Sequence, residues 1–250
     1  MEAPVVEVRD VDAGYPGELI LNDVTFDVAR GEIFILLGGS GCGKSTLMKH
    51  MIGLNPVIAG EILIAGERWS AKTRASLYRK IGVMYQSGAL FGSMTCLENV
   101  MLPLDEFSGL KRKARREKAL SLLSDVGLLD AADKMPGEIS GGMRKRVAIA
   151  RAMALDPEVV FLDEPSAGLD PITSSALDDL ILALRREKGM TFVVVTHELP
   201  SIFKIADRCA IFDKARKVMV ALGKPAELRD KSEDEFVRKF FNRGEISHGE

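Results

Sequence analysis

The sequence predicts an α/β protein with a mostly parallel core sheet, an antiparallel β portion near the N-terminus, and a helical lobe inserted into the core. Three observations carry that expectation. Short β-like runs alternate with amphipathic stretches, and several of the runs are continuously apolar, as strands covered on both faces must be. Near the N-terminus, strand-like segments follow one another with no helical pattern between them. Across 88–156 the pattern turns helical and strand character fades.

Strands are expected at Val5–Val11, Val24–Val28, Ile33–Leu37, Glu61–Ile64, Ile81–Tyr85, Val159–Leu162, Thr191–Thr196, Cys209–Phe212 and Val218–Leu222. A helix is expected over Thr46–Leu54. In the lobe, Leu120, Leu122, Leu123 and Val126 follow a basic run, Lys111–Lys118, which reads as a solvated helix face rather than a membrane contact. Another helix is expected after Pro171, with Ile172, Ala176, Leu180 and Leu184 as its apolar face. In the tail, Phe236, Val237, Phe240 and Phe241 have helical spacing. They suit a last helix folded on its own domain or a handle on another subunit equally well. The organisation is one domain over 1–250. Its α/β core is 1–87 and 157–230, its helical lobe is 88–156, and a helical tail occupies 231–250.

At 250 residues the chain can bury about three quarters of its unfolded surface, so it needs neither disulfides nor a structural metal to fold. A net charge of −2 gives no hint of nucleic-acid binding. Cys42, Cys96 and Cys209 are far apart and form no CxxC pair, which favours reduced thiols. The N-terminus carries Glu2, Glu7 and Asp10 and lacks a signal peptide's apolar stretch. No apolar run approaches the roughly 20 residues that span a bilayer. Any membrane part is expected from another chain.

Gly38-Gly39-Ser40-Gly41-Cys42-Gly43-Lys44-Ser45 fits GxxxxGK[ST], between an apolar strand and a helix. Glycines let backbone N–H groups turn inward around phosphates, where a Cβ would block them. The following helix points its positive end at the same anion. Lys44 supplies a point charge for the β- and γ-phosphates, and the Ser45 hydroxyl can ligate Mg²⁺. Val159-Val160-Phe161-Leu162 is a buried strand ending in Asp163 and Glu164. Ligands of open α/β sheets sit at the carboxyl ends of strands. Asp163 is therefore expected at Mg²⁺. Glu164 is expected as general base, the alternation of strand side chains dividing the two roles. The acidic pair gains its weight from the phosphate cradle beside it.

Ile139-Ser140-Gly141-Gly142-Met143 lies downstream of the cradle, Ser166-Ala167-Gly168-Leu169-Asp170 follows the acidic pair, and His197 follows the strand Thr191–Thr196. In that order, over nearly the whole chain, the set resembles ABC ATPases. The resemblance implies a P-loop NTPase with a RecA-like core sheet, ATP and Mg²⁺ as cofactors, and hydrolysis to ADP and phosphate. Gly38 to Ser45 look like the Walker A loop, with Thr46 just behind. Gln86 looks like the Q-loop glutamine that touches Mg²⁺ and links to the transmembrane subunit. Asp163 and Glu164 are similar to Walker B and its catalytic glutamate, Asp170 to the D-loop aspartate, and His197 to the switch histidine at the γ-phosphate. Tyr15 resembles the aromatic that stacks on adenine.

Ser140, Gly141 and Gly142 look like the signature motif. Ser140 can cap a helix running to about Leu155, and the glycines bare its N–H groups. Two anion sites for one nucleotide imply a sandwich of two copies, each cradle facing the other copy's signature. Met143 stands where the family usually has Gln, and Met cannot donate hydrogen bonds. Ser-Gly-Gly-Met with Arg144-Lys145-Arg146, Gln86-Ser87-Gly88-Ala89-Leu90-Phe91 and Leu97-Glu98-Asn99-Val100 resembles one branch, the MlaF-type ATPases of bacterial Mce-linked phospholipid transport systems. That resemblance implies a place on the cytoplasmic face of the inner membrane. It also implies transmembrane permease subunits, an Mce-domain periplasmic partner and a small cytoplasmic regulatory subunit. A motor of an amino-acid or lipoprotein transporter is the alternative. Nucleic-acid partners are not expected.

Overall fold

The computed structural model describes residues 3–242. Met1 and Glu2 of the acidic N-terminus and residues 243–250 of the tail lie outside the described residues. A hairpin of β1 (Val6–Tyr15) and β2 (Glu18–Val28) leads to β3 (Ile33–Gly38) and α1 (Lys44–Met51). Then come β4 (Ala59–Ile64), β5 (Glu67–Arg68), α2 (Arg74–Lys80) and β6 (Ile81–Met84). Three helices follow, α3 (Cys96–Phe107), α4 (Arg112–Asp125) and α5 (Gly141–Ala152). The chain continues through β7 (Val159–Asp163), α6 (Pro171–Lys188), β8 (Phe192–Val195), α7 (Leu199–Ile205), β9 (Arg208–Asp213) and β10 (Val218–Gly223). It closes with α8 (Pro225–Lys231) and α9 (Glu235–Phe241).

The strands form two sheets. One is antiparallel, in the order β2-β1-β4-β5; the other runs β10-β9-β3-β8-β7-β6. In the second, β9, β3, β8, β7 and β6 are parallel and only β10 runs the other way. The carboxyl ends of β3, β8, β7 and β6 therefore share one edge, which is where the candidate residues follow. Side chains of β3 go alternately to two cores. Ile33, Ile35 and Leu37 pack with α3, α4 and α5, while Phe34 and Leu36 pack with the antiparallel sheet and α1. Both faces are covered, so the run is apolar throughout.

Several elements differ from their expected bounds. β1 and β2 extend well past their apolar stretches, because antiparallel pairing continues to a turn at Gly17 (φ 82°). The added residues mix buried apolar positions, Ala13 and Leu21, with polar exposed ones, Asn22 and Asp23, so no clean alternation marks them. The short β5 and the helices α2 and α7 were not expected. In α6 the buried face is Ser174, Leu177, Asp178, Ile181 and Leu184, and Ile172 is 83% exposed. A strict four-residue row drifts about 40° per step around a 3.6-residue helix, so Ile172 and Leu184 cannot share a face.

The basic run lies on exposed parts of α4, where Arg115 pairs with Asp105 and Lys118 with Asp156. In α9, Val237, Phe240 and Phe241 are buried in the chain's own core, and Phe241 meets Phe203 with ring centroids 5.5 Å apart. The tail helix thus folds on its own domain. All three cysteines are buried and free. Among the described residues, no helix is long and apolar enough to cross a membrane.

Candidate nucleotide site

The loop after β3 is shaped by close contacts. A Cβ on Gly38 (φ 148°) would lie 2.5 Å from Cys42 Sγ and 2.6 Å from the Phe212 carbonyl oxygen. One on Gly43 (φ 104°) would lie 2.7 Å from Ile20 Cγ2. The loop runs straight into α1, whose first residues are Lys44 and Ser45. Lys44 is buried, and its ammonium donates to the carbonyls of Gly38 at 2.9 Å and Gly39 at 3.1 Å. The Cys42 side chain turns into the core, leaving its main chain to the loop.

A cavity of about 700 Å³ opens on this loop. Gly38, Gly39, Ser40, Gly41, Gly43, Lys44, Ser45 and Thr46 line it, joined by Gln86 from the end of β6, Glu164 from the end of β7 and His197 from the end of β8. Ser45 Oγ donates to Asp163 Oδ1 at 3.1 Å. Burial pushes the Asp163 carboxyl up, while the Ser45 hydroxyl and the cations Lys49, Lys44 and Lys145 pull it down. Glu164 Oε1 lies 3.0 Å from His197 Nδ1, and Glu164 Oε2 is buried with no hydrogen-bond partner.

Asp163 and Glu164 do not divide their roles by strand alternation. β7 ends at Asp163, and Glu164 takes a left-handed conformation at φ 47°. Simple alternation would send successive side chains to opposite faces. The left-handed residue re-aims the carboxylate into the cavity at a cost of about 1–3 kcal/mol, as is common where a site needs one geometry.

A phosphate-bearing nucleotide with Mg²⁺ fits this donor set. The Ser45 hydroxyl and Asp163 carboxylate are hard oxygen ligands side by side. An orphaned buried oxygen such as Glu164 Oε2 costs about 1–3 kcal/mol unless a ligand or water supplies a donor.

Other expected residues stand elsewhere. Ser140 caps α5, accepting from the Met143 N–H at 3.2 Å, and is itself exposed. A Cβ on Gly142 would lie 2.5 Å from Thr173 Cγ2, so the signature packs on the start of α6. Asp170 caps that helix, accepting from the N–H groups of Ile172 and Thr173, both at 3.0 Å. Ser140, Gly141, Gly142 and Asp170 do not line the cavity of their own chain. Neither does Tyr15, which sits half exposed at the β1–β2 turn. Ile20, Leu199 and Phe240 do line it, and sequence reasoning did not find them. All three are apolar; Phe240 belongs to the tail's helical pattern, but spacing says nothing of a place at the cavity. Lys145 was also missed as a site residue. It is buried on α5 and donates to the carbonyls of Gln86 and Glu164.

The fold and this cavity define a P-loop nucleotide-binding protein. The family described as ABC transporter matches residues 21–167. The chain belongs to that family, as an ATP-binding subunit. It is 39% identical over 243 residues to the intermembrane phospholipid transport system ATP-binding protein MlaF of Escherichia coli K12, covering 96% of this chain and 89% of that one. It is also 39% identical over 240 residues to the probable ribonucleotide transport ATP-binding protein mkl of Mycobacterium leprae, covering 95% of this chain and 68% of that one. Among solved structures, the dimeric post-hydrolysis ATP-binding cassette MJ0796 bound to ADP and Pi matches with a TM-score of 0.77 and 30% identity, over 88% of this chain and 98% of that one.

Proposed function

We propose that this chain hydrolyses ATP at sites shared between two copies and so powers phospholipid movement between inner and outer membranes. The observation that carries the hydrolytic part is the unpartnered Glu164 oxygen beside the cradle and the Ser45–Asp163 pair. Glu164 takes the proton of a water attacking the γ-phosphorus. The bond to the bridging oxygen breaks, and ADP and phosphate leave. His197, 3.0 Å away, orients that carboxylate and meets the γ-phosphate. Lys44 exchanges the carbonyls of Gly38 and Gly39 for phosphate oxygens. Ser45, Asp163 and Gln86 hold Mg²⁺, which when bound neutralises charge on the transferring phosphoryl group. Tyr15 stacks on adenine. Ser140, Gly141 and Gly142 of one copy close the cavity of the other, with Asp170 at the same seam.

The phospholipid part rests on the similarity to MlaF, spread over 96% of the chain. It brings permease subunits, an Mce-domain partner, a small regulatory subunit and a peripheral place on the cytoplasmic face of the inner membrane. Equal identity to mkl, named for ribonucleotide transport, keeps a different cargo as the rival. Purifying the intact complex from native membranes, with mass spectrometry of its proteins and lipids, tests the choice. An Mce-domain protein with bound phospholipid is the expected result. A periplasmic solute-binding protein in its place overturns the lipid reading.

A further inference from the structure

Lys145 is 6% exposed, and its ammonium meets main-chain oxygens: the Gln86 carbonyl and, at 3.4 Å, the Glu164 carbonyl. Six residues along the same helix, Arg151 donates to the carbonyls of Gly88 and Ala89, each at 2.7 Å. Gly88 and Ala89 both have left-handed backbones, at φ 75° and 48°. Two cations of α5, Lys145 buried and Arg151 partly buried, therefore grip the segment that follows β6 by its peptide oxygens, and Lys145 also grips the end of β7. A buried ammonium is costly where an apolar side chain would pack, and neutral carbonyls repay only part of its lost hydration. Burial lowers the Lys145 pKa, and the carboxylates of Glu164, Asp163 and Glu198 offset only part of that.

We propose that Lys145 is a positioning residue for ATP hydrolysis, tying the signature helix to the peptide carbonyls of Gln86 and Glu164 so that both keep their place through turnover. This rests on the reading of Glu164 as the base. Glu164 is already in a strained backbone conformation, and its carbonyl is one bond from the atom whose torsions aim the carboxylate. Loss of the tie lets the carboxylate and Gln86 drift, and a displacement of about 1 Å at reacting groups can cost on the order of 10² in rate. The cradle itself makes no bond to Lys145 and should bind nucleotide as before.

Lys145→Met keeps the straight stem and removes the donors; Lys145→Gln restores one neutral donor. Both are compared with Glu164→Gln in the full chain, by steady-state ATPase, affinity for a fluorescent ATP analogue, thermal unfolding, and amide exchange at residues 87–91 and 165–167. For Lys145→Met the expected result is kcat lowered about tenfold or more, with nucleotide affinity and KM within about twofold of the parent. Amide exchange in the two segments should quicken, and Lys145→Gln should fall between. Unchanged kcat overturns the proposal. So does activity lost in parallel with nucleotide affinity and thermal stability, which marks a merely structural lysine. If Lys145→Met does not fold, Lys145→Gln is judged by the same criteria. Turnover retained in Glu164→Gln would instead overturn the base assignment, whatever the Lys145 variants do.

Discussion

The cradle and the signature share a chemical vocabulary: glycines and a hydroxyl residue at the start of a helix. Their surroundings differ. Around the cradle, residues from the ends of β3, β6, β7 and β8 converge, Lys44 is buried, and a carboxylate oxygen is left without a donor. At the signature, Ser140 is exposed, and Gly142 packs on Thr173 in the first turn of α6. The same helix-start chemistry is thus a nearly complete site in one place and a bare cap in the other. Helix N-terminal N–H groups attract anions in either setting. What differs is whether other segments of the same chain arrive to finish the job. A sandwich of two copies would supply the signature with what its own chain does not.

The largest effect expected from breaking the cavity side is at Glu164. Glu164→Gln should lower turnover about 10²–10⁴-fold while ATP still binds, as expected for removal of a positioned base. Turnover and equilibrium nucleotide binding, measured together, check it; near-normal turnover would show that the base lies elsewhere.

The next test joins the two regions. Lys44→Ala in one subunit and Ser140→Arg in the other place both lesions in one composite site and leave the second intact. Both substitutions in one subunit damage both sites. ATPase of linked dimers should be clearly higher in the first arrangement, provided one site can turn over alone. Equal activities, with one site shown competent, would separate the signature from the partner's cradle.

A smaller effect is expected on the surface between the regions. Phe91 is 50% exposed and Leu90 and Met94 partly buried, whereas Leu97 is a core residue. The Phe91 backbone is held by Asn99, which accepts from its N–H at 2.8 Å and donates to its carbonyl at 3.1 Å. Phe91→Asp should weaken assembly with the membrane partner by about 2 kcal/mol, a usual cost for an interface anchor. Nucleotide affinity of the isolated subunit should hold. Collapse of that affinity with assembly intact would show that Phe91 supports the nucleotide site and not a docking surface.

The smallest effect concerns α9, which supplies Phe240 to the cavity wall. The Arg216 guanidinium holds the Asp234 carboxyl down to about 2, below the usual value of about 4. A lowered carboxyl contributes stability that is fully present above about pH 4 and is lost as pH falls through about 2. Amide protection of α9 should decline across that window, and Asp234→Asn should flatten the decline. A pH-independent helix would show that apolar contacts alone hold it.

Much of this site can be read without coordinates, because phosphate binding demands glycine, lysine and hydroxyl residues at fixed local spacing. The cradle and the carboxylates after β7 are of this kind. Gln86 and His197 are not; their positions relative to a cavity depend on which strands lie side by side. Tyr15 sits at the β1–β2 turn, outside the lining of this cavity, so its place beside a nucleotide rests on the resemblance alone.

By itself the sequence determined the α/β class, the parallel order of strand and helix, the phosphate cradle and the acidic strand end. Each depends on side-chain periodicity or on contacts a few residues apart, which spacing encodes directly. Only the tertiary structure decided which face of α6 is buried, that Glu164 turns left-handed into the cavity, that Phe240 closes one wall, and that Lys145 bonds to carbonyls 59 and 19 residues away. Those outcomes depend on backbone oxygens and packing partners far along the chain. A carbonyl is identical in every residue, so no pattern of side chains announces which one a buried lysine will meet.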